Sequence, residues 1–324
     1  MIGWTMSSDT PILRLEGLSL DYGARRILSD LQLTVGAGEV VAVVGPSGAG
    51  KSALLRALLG LSPADARVHG TLQFEGRDYA AAEDKDFRRL RGRRIGYVPQ
   101  DAQASLPAHR RVGGLLKEVL VTHRTECSRA DHDQLAEALL QSVGLDASYL
   151  SRYPHALSGG QGQRVLVALA LAGAPKLILA DEPTSALDPV AAAALLTLLA
   201  QPARAAGRGV LLISHDLVAT ARVADRIAVL AGGRLIEVGP TAQLLQHPAH
   251  PTVQALIAAH PPLTGERPAR WPVAPRAGPA EREAKACAFA HACPQVTARC
   301  RSEVPPLRPV EGRLVACHHV ESSA

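Results

Sequence analysis

The sequence predicts an α/β fold with a mostly parallel sheet, and three observations predict it. The continuous apolar runs EVVAVVG, LILAD and VLLIS begin at Glu39, Leu177 and Val210, as expected for strands that are buried on both faces. Each run lies beside a segment with helical periodicity, and alternating strands and helices favour a parallel sheet. The chain has 324 residues, of which 47% are hydrophobic, so it is long enough to enclose such a sheet.

The remaining elements follow in order along the chain. Residues 12–45 alternate like strands, and SALLRALLGL is predicted to start a helix directly afterwards. The hairpin-like stretch VHGTLQFEGRDY precedes RIGYVPQ, and the chain is then mainly helical to about residue 153. In that region Gly144 is a predicted helix C-cap. One helix face before it carries Leu135, Leu139, Leu140 and Val143.

A phosphate-binding loop is predicted at GPSGAGKS, which lies between a buried strand and a helix start and matches the pattern G-x-x-x-x-G-K-[ST]. Its glycines allow successive backbone N–H groups to point at phosphate oxygens, and the helix N-terminus adds partial positive charge. We expect Lys51 to reach the β- and γ-phosphates and Ser52 to ligate Mg²⁺. The predicted nucleotide-binding residues of this loop are Gly45, Pro46, Ser47, Gly48, Ala49, Gly50, Lys51 and Ser52.

The second half of a phosphoryl-transfer site is predicted at LILADEP. Asp181 ends an apolar strand, so its carboxylate should emerge at the sheet edge beside the loop and hold Mg²⁺ directly or through water. Glu182 follows and can polarise an attacking water as a general base. An isolated Asp-Glu pair is more often an exposed acidic turn, but its position after a second apolar strand favours catalysis here.

Seven motifs in one order resemble those of the ATP-binding subunits of ABC transporters, over about residues 12–250. LSGGQ, at residues 157–161, is similar to the signature motif of that family. Gln100 in YVPQD resembles the Q-loop glutamine, and His215 in ISHD resembles the switch histidine. Tyr22 in LDYG is similar to the aromatic that stacks on adenine, and SALD, at residues 185–188, resembles the D-loop.

The resemblance implies an ATPase that buries ATP in a dimer of nucleotide-binding subunits. His215 would contact the γ-phosphate and hold Glu182 and water in line, although an isolated strand-end histidine is more often structural. Gln100 would act in catalysis and help Ser52 and Asp181 to hold Mg²⁺. A second anion site, offered to nucleotide held by the partner subunit, would consist of Ser158, Gly159, Gly160 and Gln161.

The same resemblance predicts the domain organisation. Residues 12–250 would form the nucleotide-binding domain, which has a P-loop NTPase core, an antiparallel β subdomain and a helical subdomain at about residues 101–157. Residues 251–283 are a predicted Pro-rich linker, and residues 284–324 a small Cys-rich extension. One departure lies after LSGGQ, where many relatives carry a basic residue and this chain has Gly162. The change removes a charge from the first turn of the signature helix.

The C-terminal part resembles the oligopeptide, dipeptide and nickel branch of ABC importers. His-Pro pairs begin at His247 and His250, and VACHH at Val315 is similar to the way in which that branch ends. QDAQASL after YVP is also similar, but Leu106 is followed by Pro107 instead of the Asn-Pro common in the branch. The resemblance implies ATP-driven uptake of di- or oligopeptides, with nickel or a metal chelate as the alternative cargo.

Four of the five cysteines lie close to the C-terminus, with intervals C-x₅-C-x₆-C-x₁₆-C that differ from the C-x₂-C pairs of common zinc sites. Disulfides are disfavoured because a P-loop ATPase works on cytosolic ATP, where thiols stay reduced. Four thiolates suit a [4Fe–4S] cluster, which some members of the branch carry. Zinc, with His291, His318 and His319 as further ligands, and unligated thiols are the alternatives. The predicted cluster ligands are Cys287, Cys293, Cys300 and Cys317; Cys127 is predicted to have no such role.

Composition excludes other classes. The net charge of +5 and the run RRLRGRR at residues 88–94 could indicate nucleic-acid binding, but the run has no aromatic to stack on a base, so we expect a solvated surface and no nucleic-acid partner. The N-terminus lacks the pattern of a secretion signal, and the longest apolar stretch is shorter than the ~20 residues of a membrane span.

The expected partners are therefore a second ATPase subunit, identical or homologous, two transmembrane permease subunits and an extracytoplasmic solute-binding protein. The expected location is peripheral, at the cytoplasmic face of the inner or plasma membrane. A soluble ABC ATPase of DNA repair or translation is the rival function, but such proteins usually join two nucleotide domains or insert a long coiled coil, and neither pattern is present. A regulatory module without catalysis is disfavoured because Lys51, Asp181, Glu182 and His215 are all present.

Overall fold

The structure is a computed structural model that describes residues 10–259 and 286–320. The described strands form a four-stranded antiparallel sheet of order β2-β1-β4-β5 and an eight-stranded sheet of order β11-β12-β10-β9-β3-β8-β7-β6. Strands of the small sheet are β1 Leu13–Tyr22, β2 Arg25–Val35, β4 Ala66–Phe74 and β5 Arg77–Asp78. Those of the large sheet are β3 Val40–Val44, β6 Ile95–Val98, β7 Leu177–Asp181, β8 Gly209–Ser214, β9 Arg226–Ala231, β10 Arg234–Pro240, β11 Arg308–Val310 and β12 Arg313–Val315.

The helices cover both faces of the large sheet and form a separate group between β6 and β7. They are α1 Lys51–Leu58, α2 Asp84–Leu90, α3 Ala102–Ser105, α4 Val112–His123, α5 Arg129–Ser142, α6 Gly159–Ala172, α7 Pro189–Ala205, α8 Leu217–Ala221, α9 Thr241–Gln246, α10 Pro251–Ala258 and α11 Ala298–Ser302. Two 3₁₀ turns, Ala147–Ser151 and Pro154–Ala156, join α5 to α6. No helix of the described residues is long and apolar enough to cross a membrane.

The centre of the large sheet is parallel, as the three apolar runs predict. Strand β3 pairs in parallel with β8 and β9, and β7 pairs in parallel with β8 and β6. Side chains of β3 alternate between two cores: Val40, Ala42 and Val44 pack on the side of α6 and α7, and Val41 and Val43 pack toward α1 and the small sheet. Burial on both faces explains why the strand sequence is continuously apolar.

The helical region agrees with its predicted pattern at one end and differs at the other. Leu140 and Val143 are fully buried, and Gly144 follows the end of α5 with φ of 71°, the left-handed conformation of a C-terminal cap. Leu135 and Leu139 are only half-buried. They border a surface groove between α5 and the end of α7.

The C-terminal residues correct two expectations. Helix α10 lies inside the predicted linker and packs its Val253 and Leu256 into the main core, so residues 251–259 are not a linker; residues 260–283 of that segment lie outside the described part of the chain. The tail is also not separate from the nucleotide domain. Strand β12 pairs antiparallel with β10, so the hairpin β11–β12 forms the edge of the large sheet.

A buried ion pair joins this hairpin to the domain. Arg313 Nη1 lies 3.2 Å from Glu237 Oε1, and the two side chains are 4% and 0% exposed. Glu237 also accepts hydrogen bonds from the backbone N–H groups of Ala249 and His250, and Arg313 donates to the carbonyl of His247. The charges are thus paired and hydrogen-bonded, as burial requires.

Candidate functional site

The carboxyl ends of β3, β8, β7 and β6 meet at one edge of the large sheet, because these strands are parallel neighbours. The phosphate loop follows β3, His215 follows β8, Glu182 follows β7 and Gln100 lies two residues beyond β6. The topology therefore brings together residues that are up to 164 positions apart in the sequence, from Lys51 to His215.

Two glycines explain the shape of the loop at residues 45–52. Gly50 has φ of 108°, in the region where side chains are strained, and it directly precedes α1. A Cβ atom placed on Gly45 would lie 2.0 Å from the carbonyl oxygen of Leu230 on β9, so only glycine fits there. The loop is thereby folded back against the sheet, and α1 begins with its N-terminus at this edge.

Lys51 is buried at the centre of the site, with 6% of its surface exposed. Its Nζ donates to the carbonyls of Gly45 at 2.8 Å and Pro46 at 3.0 Å and lies 3.8 Å from Glu182 Oε1. Burial lowers the pKa of Lys51, while the charges of Glu182 and Asp181 raise it. The ammonium group is therefore held within the loop by carbonyl oxygens, which a phosphate group can replace.

The Glu182 carboxylate is the meeting point of the other predicted catalytic side chains. His215 Nδ1 lies 3.1 Å from Glu182 Oε2, and Gln100 Nε2 donates to the same oxygen at 3.5 Å. The backbone of Glu182 has φ of 41°, unusual for a residue other than glycine, and its N–H donates to the carbonyl of Ile213 at 2.9 Å. A hydrogen bond to the neighbouring strand thus holds a strained backbone in place.

Asp181 has the environment of a cation ligand. Its Oδ1 atom is buried and has no hydrogen-bond partner among the described residues. Burial and the charge of Glu182 raise the pKa of Asp181, while Lys51 and a hydrogen bond with Ser52 lower it. An unpartnered buried carboxylate oxygen beside a serine hydroxyl matches the oxygen donors that Mg²⁺ prefers. The Gln100 side chain points instead to Glu182 in this conformation.

The signature residues open helix α6. Ser158 and Gln161 form a capping box, in which the Gln161 N–H donates to Ser158 Oγ at 3.3 Å and the Ser158 N–H donates to Gln161 Oε1 at 3.0 Å. This cap presents Gly159 and Gly160 at the helix N-terminus, where the helix dipole favours an anion. The part that these four residues would play toward nucleotide on a partner subunit stays a prediction.

Tyr22 lies at the end of β1 and is only partly exposed. Its ring packs against the core between α1 and the small sheet, and its buried hydroxyl has no hydrogen-bond partner among the described residues. Stacking on adenine stays a prediction for this side chain.

Sequence reasoning missed Gln163, which contacts the Q-loop. Gln163 is 3% exposed, and its Nε2 donates to the carbonyl of Gln100 at 2.6 Å. The available signal was a glutamine at the start of an otherwise apolar helix run, QRVLVALALA. The preceding Gly162, noted only as a lost charge, is buried, and a Cβ placed on it would lie 3.0 Å from Ala102 Cβ.

The four C-terminal cysteines gather without forming a recognisable metal site. All are free thiols, and the Cys287 N–H donates to the carbonyl of Cys300 at 2.9 Å. Burial raises the pKa of Cys287, and the charges of Cys300, Cys317 and Cys293 raise it further. Among residues 10–259 and 286–320, no group of three or more His, Cys, Asp or Glu side chains is arranged to hold a metal ion. The side-chain geometry thus gives the predicted iron–sulfur cluster no support.

Two family profiles match the chain. The ABC transporter profile matches residues 28–185, and the profile described as "Oligopeptide/dipeptide transporter, C-terminal region" matches residues 236–300. The first covers the phosphate loop, the Q-loop, the signature and Glu182. The second begins in β10 and ends at Cys300.

Similar proteins span nearly the whole chain. The probable peptide ABC transporter ATP-binding protein y4tS of Sinorhizobium fredii is 41% identical over 90% of this chain and 82% of its own length. The di/tripeptide transport ATP-binding protein DppF of Pseudomonas aeruginosa is 38% identical over 94% of this chain and 93% of its own. Among solved structures, cbiO1 of Clostridium perfringens, part of the ABC transporter complex cbiONQ, superposes with a TM-score of 0.66 at 25% identity over 74% of this chain and 92% of its own.

Proposed function

The chain belongs to the ABC transporter family of ATP-binding proteins, and from this we propose that it is the ATP-hydrolysing subunit that powers uptake of di- and oligopeptides through separate permease subunits. The observation that carries the proposal is the convergence of Lys51, Gln100 and His215 on the Glu182 carboxylate. The match of residues 236–300 to the oligopeptide/dipeptide transporter C-terminal region supports peptides as the cargo over nickel or a metal chelate.

The arrangement supports a hydrolytic mechanism. ATP phosphates would displace the Gly45 and Pro46 carbonyls from Lys51 Nζ, because a phosphate oxygen forms a stronger, charge-assisted bond. Glu182 would polarise the attacking water, and His215 would orient both the carboxylate and the γ-phosphate. Ser52 and Asp181, assisted by Gln100 after its side chain turns from Glu182, would hold Mg²⁺, which neutralises charge that develops on the phosphate.

The active unit would contain two ATPase subunits, identical or homologous. The exposed N-terminus of α6, with Ser158, Gly159, Gly160 and Gln161, is suited to bind the γ-phosphate of nucleotide held by the partner subunit. The related "Dimeric Structure of MJ0796, a Bacterial ABC Transporter Cassette", at 27% identity and a TM-score of 0.63 over 71% of this chain and 98% of its own, supports a dimer.

A groove beside the Q-loop would receive the permease. Its cavity of about 260 Å³ is lined mainly by apolar groups of α3 and of the turn before α6, including Ala102, Leu106, Pro154 and Leu157. The groove begins two residues after Gln100, so its occupant would sense the Glu182 site through the Q-loop. The subunit would act from the cytoplasmic face of the membrane and would work with two permease subunits and an extracytoplasmic solute-binding protein.

Reconstitution tests this proposal. The chain is combined with candidate permeases and a second ATPase subunit in liposomes, and uptake of a labelled dipeptide is compared with uptake of labelled nickel. ATP-dependent dipeptide uptake that requires Glu182 is the expected result. Uptake of nickel alone would favour the metal importer, and ATP hydrolysis that no permease alters would favour a soluble ABC ATPase.

The C-terminal thiols would bind a [4Fe–4S] cluster that stabilises the fold of the tail. The four free thiols match the ligand number of such a cluster, and the charges of neighbouring cysteines help to raise the pKa of Cys287 and of Cys317. The described tail has a small apolar core of its own, made by Val310, Val315 and Cys317, so a metal group would add stability that the core cannot supply. Binding would require the thiols to move from the arrangement described above.

A further inference from the structure

One buried polar side chain on the signature helix has no part in the mechanism above. Gln163 lies five residues after Ser158, in the second turn of α6, and is 3% exposed. Burying a side-chain amide costs free energy unless its polar atoms find partners. Its partners therefore indicate what this residue does.

The amide nitrogen of Gln163 donates to the Q-loop. Gln163 Nε2 donates to the main-chain carbonyl of Gln100 at 2.6 Å, across 63 positions of sequence. A carbonyl can only accept, so the contact fixes the orientation of the amide, with Nε2 toward the Q-loop. The backbone of Gln100 is thus attached to the signature helix of the same chain.

The residue before it makes a second contact with the same segment. Gly162 is buried, and a Cβ on it would lie 3.0 Å from Ala102 Cβ, so the α6 backbone approaches α3 as closely as a glycine allows. Two consecutive residues of α6 therefore touch residues 100 and 102, one by a hydrogen bond and one by packing.

We infer that Gln163 is a positioning residue that ties the Q-loop to the signature helix, so that α6 and Gln100 move together within one subunit. When nucleotide binds to the N-terminus of α6, the bond to the Gln100 carbonyl transmits the displacement to the Gln100 side chain. That side chain contacts Glu182 Oε2 at 3.5 Å. The inference rests on the proposed function, because it requires Gln100 and Glu182 to act in ATP hydrolysis.

The unpaired oxygen of the Gln163 amide is consistent with a Q-loop that has two positions. Gln163 Oε1 is buried and has no partner among the described residues, and the residue lines a cavity of about 620 Å³ between the Q-loop, α6 and the D-loop residues Ser185 and Ala186. A donor from the shifted Q-loop or D-loop can satisfy this oxygen in the nucleotide-bound state, which gives α6 a second stable contact.

Gln163→Met tests the link, because methionine keeps the size of glutamine and removes the donor. We expect kcat for ATP hydrolysis to fall about tenfold, the scale of one buried hydrogen bond, while the Kd for ATP changes less than about twofold because no phosphate contact is lost. In a Gln100→Ala background the same substitution should have no further effect, since the side chain through which Gln163 acts is absent.

Amide hydrogen exchange of residues 97–106 supplies a readout independent of catalysis. Gln163→Met should speed exchange in this segment, and the matched control Gln134→Met, on the exposed face of α5, should not. Should the methionine variant not fold, Gln163→Asn, which is one methylene too short to reach the carbonyl, replaces it. Additive losses in the double variant, or unchanged exchange at residues 97–106, would overturn the inference. If the wild-type chain hydrolyses no ATP, the proposed function fails. The hydrogen-exchange result would still show whether Gln163 holds the Q-loop to α6.

Discussion

Glu182, the proposed general base, is held in position at a cost to its own backbone. Its left-handed φ of 41° is unfavourable by roughly 1–3 kcal/mol for such a residue, and the bond from its N–H to the Ile213 carbonyl opposes relaxation. In this conformation the carboxylate lies within reach of His215 Nδ1 and Gln100 Nε2.

Glu182→Gln should retain ATP binding and cut hydrolysis by roughly 10² or more, because the amide keeps the size and loses the base. The variant should also trap a nucleotide-bound dimer, which gel filtration with ATP detects. Lys51→Ala serves as the contrasting change and should weaken ATP binding itself, measured by calorimetry. Hydrolysis by Glu182→Gln at the wild-type rate would show that another group activates the water.

His250 predicts a pH dependence of stability. It caps α10 by accepting from the Thr252 N–H at 3.0 Å, and burial lowers its pKa to about 4. Because the ordinary pKa is about 6.5, the unfolded chain takes up the proton first as pH falls. The stabilisation is complete above pH about 6.5 and is lost progressively down to pH about 4, by about 3 kcal/mol for this one group.

His250→Asn isolates that effect, since asparagine also caps helices and does not titrate. The free energy of unfolding in urea, measured at several pH values, should fall less steeply between pH 6.5 and 4 for the variant than for wild type. Subtracting one protein's free energy of unfolding from the other's at each pH cancels the contributions of other titrating groups. These include Glu237, whose pKa is raised by burial. Parallel pH curves would show that His250 is accessible to protons in the folded chain.

Two kinds of element could be predicted from the sequence: strands with a long apolar run, and elements that flank a recognisable motif. The three apolar runs became β3, β7 and β8, and the phosphate loop lies between β3 and α1. The hairpin β11–β12 could not be predicted, because strands of three residues have no readable period and β12 pairs with β10 across 76 to 78 positions of sequence. A separation of 63 positions likewise hid the contact of Gln163 with Gln100.

At the scale of elements, the groove beside α3 is the proposed contact with the permease. Within it Gln103 is exposed on α3 and borders the cavity. Gln103→Arg should abolish coupled transport and leave basal ATP hydrolysis within about twofold, because a bulky charge blocks an apolar groove and touches no phosphate ligand. Uptake and hydrolysis are measured in the same liposomes. Gln134→Arg is the matched control, and equal loss of both activities by Gln103→Arg would indicate a folding defect instead.

At the scale of the whole molecule, the tail and the nucleotide site share one sheet. Strand β10 pairs with β12 of the tail at Glu237 and Val238, and the turn that precedes β10 reaches the phosphate loop, where the Gly233 N–H donates to the Ala49 carbonyl at 3.1 Å. The buried pair of Glu237 with Arg313 fixes the position of the hairpin. Removing one partner of such a pair costs about 3–5 kcal/mol, because the other charge is then buried and unpaired.

The tail cysteines give the last prediction, that Cys287, Cys293, Cys300 and Cys317 bind one [4Fe–4S] cluster. Anaerobically purified protein should be brown and contain close to four irons per chain, by the stoichiometry of the cluster. Any one of these cysteines changed to serine should lower the iron content because one iron loses its thiolate, whereas Cys127→Ser, in the loop before α5, should not. Since the hairpin is held to β10 by its own backbone and by Arg313, these variants should keep ATP binding and lose stability chiefly in the tail. Stoichiometric zinc without iron or acid-labile sulfide would contradict the cluster and indicate a zinc staple, and the absence of both metals would leave four unligated thiols.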